Sequence, residues 1–463
     1  MSAHGGLRMS GFLYYLVAFA VVLGILVVVH EFGHYVAARW AGVKVLRFSV
    51  GFGRPLVTRR WGRDGTEWAL AAFPLGGYVK MLDEREAEVA PDELHRSFNR
   101  QPVARRMVIV AAGPAANFVL AILLYWGLFC YGSEEFRPIL GTPVLSSPAA
   151  AAGLDNGELV LRVAGEKVQT WQEMRWLLLQ KAVDHDAVDL ELLNPRQEVV
   201  VRRLDLSVVR QSGWEGDALE RLGLRLYRPR LPPIIGSVSA RSAAEAAGLR
   251  AGDEILDIDG EPIESWADLV RVVRQSAGQT LHFEVLRDGL RQGLSVQPSA
   301  VEEQGKDVGR IGAAVRDAGQ TREQLMVTVR YDPLSALGKA LVETWDKSTF
   351  TLVMIGRMIT GEVSWRNLSG PVTIADYAGQ SAKLGVDYYL KFLALVSISL
   401  GVLNLLPIPI LDGGHLLYYL VEIIKRGPVS ERTMEIGQQI GLTFLIMLMA
   451  FAFYNDINRL FSG

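Results

Sequence analysis

Four stretches of this chain, residues 9–30, 107–133, 392–411 and 436–455, contain no Asp, Glu, Lys or Arg. Each is close to the roughly 20 residues that a helix needs to cross about 30 Å of hydrocarbon. In a chain of 463 residues, 50% hydrophobic and of mean hydropathy +0.20, apolar residues gathered in this way predict four transmembrane helices. A removable signal peptide is the alternative for the first stretch, because Arg8 precedes an apolar run; that run is longer than a signal's apolar region.

Charge orients the helices. Residues 39–106 hold 13 Lys/Arg against 8 Asp/Glu, whereas only Arg8 precedes the first helix, so the basic loop belongs in the cytoplasm and the N-terminus outside. Four passes then leave residues 134–385 outside and return the connection after the third helix, with Lys425, Arg426 and Arg432, to the cytoplasm. The net charge of −2 and the lack of a Lys/Arg tract exclude an electrostatic nucleic-acid binder. Cys130, the sole cysteine, can form neither an intrachain disulfide nor a thiolate metal cluster.

The first apolar stretch ends in HEFGH, residues 30–34. His30 and His34 are four apart, so on a helix both imidazoles project from one face, with Glu31 beside them. HExxH is the spacing at which two neutral imidazoles hold Zn2+ and a carboxylate activates water. Ionisable groups at membrane depth cost a few kcal/mol each unless they serve a site, which weighs against simple interfacial caps.

Zinc that keeps a position open for water needs a third protein ligand. NLLPIPILDGGH, residues 404–415, offers Asp412 as the better candidate and His415 as an open alternative. Pro407 and Pro409 each remove a backbone donor, so the chain must break there, and broken backbone at membrane depth has to line a cavity or be buried in protein. The charge-derived topology puts Asp412 on the same side as His30 and His34.

The outer segment repeats itself. SSPAAAAGLDNGELVLRVAGEKVQTWQEM from Ser146 aligns without a gap to RSAAEAAGLRAGDEILDIDGEPIESWADL from Arg241, sharing Gly153/Gly248, Leu154/Leu249, Gly157/Gly252, Gly165/Gly260 and Trp171/Trp266. The pattern resembles the PDZ domains of bacterial envelope proteases, more strongly in the second copy than in the first. PDZ domains capture extended peptides by strand addition, so the resemblance implies a peptide ligand, with Arg221–Leu226 and Arg310–Val315 as groove strands. A role as spacer or filter is the equal alternative.

HEFGH, the second-helix GPAANF (Gly113 to Phe118) and NxxPxPxLDGG (Asn404 to Gly414) together resemble the site-2 protease family of intramembrane zinc metalloproteases. The likeness spans essentially the whole chain. It implies one Zn2+ per chain held by His30, His34 and Asp412, with Glu31 as general base. It also implies that Asn404 contacts substrate, that Pro407 and Pro409 shape the substrate groove, and that His415 has no catalytic part. The implied activity is cleavage of a single-pass membrane protein in or near its transmembrane segment, as the second step of regulated intramembrane proteolysis in a bacterial inner membrane. An anti-sigma factor is the implied substrate type and remnant signal peptides a second. Rivals are a membrane-anchored PDZ scaffold with a vestigial metal site and a zinc-dependent transporter.

A transmembrane substrate must unwind before its carbonyls can be reached, and something must replace its lost hydrogen bonds. TEWALAAFPLGGYVKM, Thr66 to Met81, is apolar but too short to span, and with VLRFSVGFG before it reads as a sheet or hairpin. In the family this is a membrane-reentrant β element whose edge could pair with substrate; a simple cytoplasmic β-domain is the alternative. Residues 333–383 have apolar positions at helical spacing with Lys339, Glu343, Asp346 and Lys347 opposite, which fits an interfacial helix.

The expected fold is therefore a polytopic α-helical membrane protein with four transmembrane helices, a membrane-associated β element and two extramembrane α+β PDZ domains. The expected order is periplasmic N-terminus and first membrane helix (1–38), β region (39–104), second membrane helix (105–133) and the PDZ domains (134–229 and 230–320). An interfacial segment (321–385), third membrane helix (386–412), cytoplasmic connection (413–434), fourth membrane helix (435–456) and tail (457–463) follow. The PDZ domains are expected in the periplasm and the active site toward the cytoplasm.

Overall fold

The uncharged stretches fold largely as helices, each of which begins in the polar residues before its stretch. The computed structural model describes residues 4–211, 214, 217–229, 231–303, 306–316 and 323–462. It divides into two units, one of residues 1–133, 209–216 and 328–463, the other of residues 134–208 and 217–327.

The first unit is built on α1 (His4–Trp40), α2 (Val103–Tyr131), α3 (Pro333–Thr360), α4 (Pro371–Leu384), α5 (Val386–Leu405), α6 (Asp412–Lys425) and α7 (Glu431–Ser462). Among the described residues, four spans are long and apolar enough to cross a membrane: Leu13–Trp40, Val103–Tyr131, Val386–Leu405 and Glu431–Arg459. The third apolar stretch leaves the helix at Leu406, whose extended backbone (φ −64°, ψ 146°) is what a following proline imposes. α3 is long enough but carries Lys339, Glu343, Asp346 and Lys347 within its first 15 residues. Its buried Ala340 joins Ala121 and Tyr125 of α2 and Ala394 and Ile398 of α5 in one cluster.

α1 is held on two sides. Val22 and Leu26 pack with Ala378 of α4 and Leu393 of α5, all nearly inaccessible. Toward α2 the approach is closer: a Cβ on Gly33 would lie 2.8 Å from the Ala116 Cβ. Small residues permit such contact, and in lipid it is dispersion from close backbones, not expulsion of water, that holds helices together. The outward faces stay apolar, with Val17 53%, Ile440 63% and Met447 64% exposed, a surface suited to acyl chains.

Between α1 and α2 lie β1 (Val45–Trp61) and β2 (Thr66–Met81). Both strands bend, and each part pairs separately. Residues 45–50 pair with 77–81 on one side and with 67–70 on the other, and 55–61 pair with 66–71. The result is an antiparallel sheet in the order 77–81, 45–50, 66–71, 55–61, not a simple hairpin. Gly51 (φ +92°) and Gly76 (φ +124°) take the left-handed conformations that the bends demand. Val43, Val45, Ala38 and Ile109 form the small core joining sheet and helices.

In the second unit the sequence repeat becomes a structural one. Its first copy orders its sheet as Glu166–Lys167, Leu159–Val163, Ala187–Leu193, Val199–Asp205, with the helix Trp171–Asp184. The second has Glu261–Pro262, Glu254–Ile258, Leu281–Arg287, Leu290–Val296 and the helix Trp266–Gln275. Thr170 and Ser265 cap the two helices at equivalent places, accepting from the amides of Glu173 and Asp268. These are the strand-and-helix modules expected of PDZ domains. Of the predicted groove strands, Ala313–Val315 pairs with Ile235–Val238, whereas Arg221 and Leu222 end a short helix and extended chain begins only after Gly223.

Candidate metal centre

HExxH lies wholly within α1, so its histidines stand one turn apart with ring centroids 4.8 Å from each other. Asp412 reaches them from the other end of the sequence. α5 stops at Leu405, and two tight turns follow, with the Ile408 amide on the Leu406 oxygen at 2.7 Å and the Leu411 amide on the Ile408 oxygen at 2.9 Å. α6 then begins with Asp412 itself, at the positive end of the helix dipole. Gly413 and Gly414 let that first turn fold back on the proline segment, since a Cβ on either would collide with the carbonyls of Leu405 and Leu406 or of Ile408.

Three donor groups converge. His30 Nε2 lies 3.2 Å from Asp412 Oδ2, His34 Nε2 lies 3.6 Å from Asp412 Oδ1, and the two Nε2 atoms are 3.2 Å apart. Among the described residues, His30, His34 and Asp412 are the one group of three or more such side chains with donor atoms within 4.8 Å of one another. The histidine side chains are 12% exposed and the carboxylate 18%, so water has only narrow access.

The chemistry of this set fits a cation. His34 Nδ1 donates to the Ile109 carbonyl at 2.9 Å, which leaves its Nε2 lone pair facing the Asp412 carboxylate, acceptor against acceptor. An intervening positive ion removes that repulsion. Tetrahedral zinc with bonds of about 2.0–2.1 Å separates its donors by about 3.3 Å, which matches the 3.2 and 3.6 Å observed.

Glu31 occupies the same turn of α1, and the sheet comes to it. A Cβ on Gly77, in the edge segment 77–81, would fall 2.9 Å from Glu31 Cγ and 2.9 Å from Val27 Cγ1. Val27 is 13 residues before Trp40, about 20 Å of helix, so the sheet reaches well along α1 from its charged end. At that end Asp64 pairs with Arg39 and with Arg96.

The other expected residues lie on the broken segment. Asn404 is in the last turn of α5, Pro407 is exposed, and Pro409 packs on α7, where a Cβ on Gly441 would touch it at 3.3 Å. None of the three makes a hydrogen bond to the histidines or Asp412 among the described residues. His415, one turn along α6, stands with its ring beside Tyr418, outside the cluster.

Sequence reasoning gave no part to three groups on α2. They are the Ile109 carbonyl, Gly113, where a Cβ would collide with both imidazoles, and Asn117, whose amide is 3.2 Å from His30 Nδ1. The last two lie in GPAANF at a spacing of four, which could have revealed them as one face of a helix. A main-chain oxygen leaves no such signal.

Bilayer-length helices that bring an HExxH pair and a distant carboxylate to one point define a class, the membrane-embedded metallopeptidases. The model of Peptidase family M50 matches residues 18–448, and the chain belongs to that family. It is 42% identical over 453 residues to the regulator of sigma-E protease RseP of Escherichia coli K12, an alignment covering 98% of this chain and 100% of that one. Putative zinc metalloproteases of Ralstonia nicotianae and Neisseria meningitidis are 43% and 42% identical, covering 96% of this chain and 98% and 99% of theirs. The PDZ domain of the SdrC-like protein of Listeria monocytogenes aligns with 19% of this chain and 93% of its own, at 22% identity and TM-score 0.17. The protein is a zinc-dependent metalloendopeptidase of the membrane.

Proposed function

We propose that His30, His34 and Asp412 hold the zinc, that Glu31 is the general base, and that the substrate is a single-pass membrane protein cut in or near its transmembrane segment. The convergence of the three donors, within 3.2 to 3.6 Å of one another, carries this reading. Zinc held there supplies Lewis-acid activation of water and of the scissile carbonyl. Glu31 takes the proton from the attacking water and returns it to the leaving amine. Asn404, Pro407 and Pro409 line the path of the unwound substrate, and the edge segment 77–81 offers it the backbone hydrogen bonds it gave up on unwinding.

In this reading the active site opens toward the cytoplasm of a bacterial inner membrane and the PDZ modules stand in the periplasm. The loop of 13 Lys/Arg, and Arg106 bonded to Glu422 of α6 at 2.7 Å, support a single basic face. The substrate is of the anti-sigma factor type, already shortened outside the membrane. The name of the Escherichia coli relative supports that choice.

The test is the purified chain with a model single-pass substrate, with and without a zinc chelator. Glu31→Gln is expected to keep stoichiometric zinc and lose cleavage, whereas undiminished cleavage by that variant overturns the reading. Function in cells that survives Glu31→Gln is what a PDZ scaffold would give.

A further inference from the structure

Both imidazoles lean on one face of α2. Ile109, Gly113 and Asn117 recur every fourth residue along it. Ile109 gives its carbonyl to His34, Gly113 gives the space the two rings occupy, and Asn117 brings its side-chain amide to 3.2 Å from His30 Nδ1. Asn117 is fully buried at 0% exposure, and its Oδ1 has no hydrogen-bond partner among the described residues.

As placed, Nδ2 faces the imidazole, an arrangement that makes Nδ1 an acceptor and puts the ring proton on Nε2, toward Asp412 and His34. Oxygen and nitrogen of an amide exchange by a half-turn, and their assignment follows from their partners. Here nothing among the described residues bonds Oδ1 to hold the amide as placed, so His30 decides its orientation.

We propose that Asn117 is the positioning residue of His30. Its Oδ1 accepts the Nδ1 proton and holds the ring in the tautomer whose Nε2 lone pair faces the metal. The Ile109 carbonyl does the same for His34, so one helix sets both ligands. Ser397 Oγ donates to the main-chain carbonyl of Asn117 at 2.7 Å, which fixes α5 against this point of α2. Outer hydrogen bonds of this kind orient a ligand and raise its basicity, and their loss typically costs about 10–100-fold in metal affinity. The inference rests on the ligand assignment above.

The experiment measures the zinc dissociation constant of the full-length chain in micelles by competition with a chromophoric chelator. Asn117→Leu, which has no acceptor, and Asn117→Ser, whose Oγ is one bond nearer the backbone than Oδ1 and falls short of Nδ1, are expected to bind zinc about 10–100-fold more weakly. Asn117→Asp keeps the acceptor and is expected to stay within a few-fold of wild type. Leu and Ser variants that bind like wild type while His30→Ala loses zinc overturn the role of Asn117 and leave the ligands standing. An Asp variant as weak as the Ser variant overturns it as well. Wild-type affinity in His30→Ala would instead sink the ligand assignment. If Asn117→Leu does not fold, the comparison of Ser with Asp decides alone.

Discussion

Gly77 and Glu31, 46 residues apart, meet where the sheet edge crosses α1, with no room for a methyl group between them. The proposed base therefore lies directly beneath the strand proposed to receive the substrate.

Gly77→Ala tests that proximity. The added Cβ must displace the strand or the Glu31 side chain, and a shift of about 1 Å at a reacting group can cost about 100-fold. Cleavage is expected to fall by one to two orders of magnitude with zinc content unchanged, read by peptide assay beside metal analysis. Loss of zinc in step with activity would mean that the strand supports the ligands and not the base.

Asp412 and His415 offer a second comparison. Asp412→Ala should lower zinc affinity by more than the roughly 100-fold upper range for an outer hydrogen bond, while His415→Ala should leave it unchanged. Chelator competition on the two variants distinguishes them, and the reverse ranking would restore the histidine alternative.

The second PDZ module contains a buried ion pair with a definite pH signature. Burial pushes the Asp253 carboxyl up, but Arg287, bonded to both of its oxygens at 2.7 Å, outweighs burial and holds it below the usual carboxylate range. Asp253 is 1% exposed, so removing its charge strands Arg287 at a cost of about 3 kcal/mol. A lowered folded-state pKa means that this stability is complete above the unfolded value of about 3.9 and disappears as pH falls through the folded one. Hydrogen exchange at Ile255–Ile258 should show Asp253→Asn destabilised at pH 7, with the difference from wild type gone at strongly acidic pH.

Asp456, buried in α7, accepts from the amides of Gly370, Val372 and Thr373 at 3.0, 2.8 and 3.2 Å and from Thr373 Oγ1. It caps α4 from another helix. Asp456→Ala leaves those donors unmet, at about 2 kcal/mol or more, so the Val372 and Thr373 amides should exchange roughly 30-fold faster. Unchanged protection there would show that α4 does not need the cap.

Much of this was legible in the chain. Uncharged runs of spanning length announce membrane helices because lipid tolerates few alternatives, and a gapless repeat announces duplicated modules. HExxH declares its chemistry because both histidines lie within one helical turn. Asp412 was legible through a topological argument and the NxxPxPxLDGG resemblance, since nothing near it in sequence is a histidine of the cluster. The folding of β1 and β2 into a four-segment sheet was not legible: apolar periodicity cannot say that a strand bends at Gly51 and pairs twice. Asn117 stood in a motif, GPAANF, whose spacing of four from Gly113 marks a helix face but not what that face touches, and the Ile109 carbonyl was hidden by being backbone.

Asp412 follows His34 by 378 residues. At about 5–20 residues per second of synthesis, roughly 20 to 80 s separate the appearance of the histidines on the ribosome from that of the carboxylate. Through that interval the nascent polypeptide carries only part of the proposed chelate. With the proposed ligand set, the hydrolase is inert when its histidines emerge and is armed only once Asp412 has followed them into the membrane.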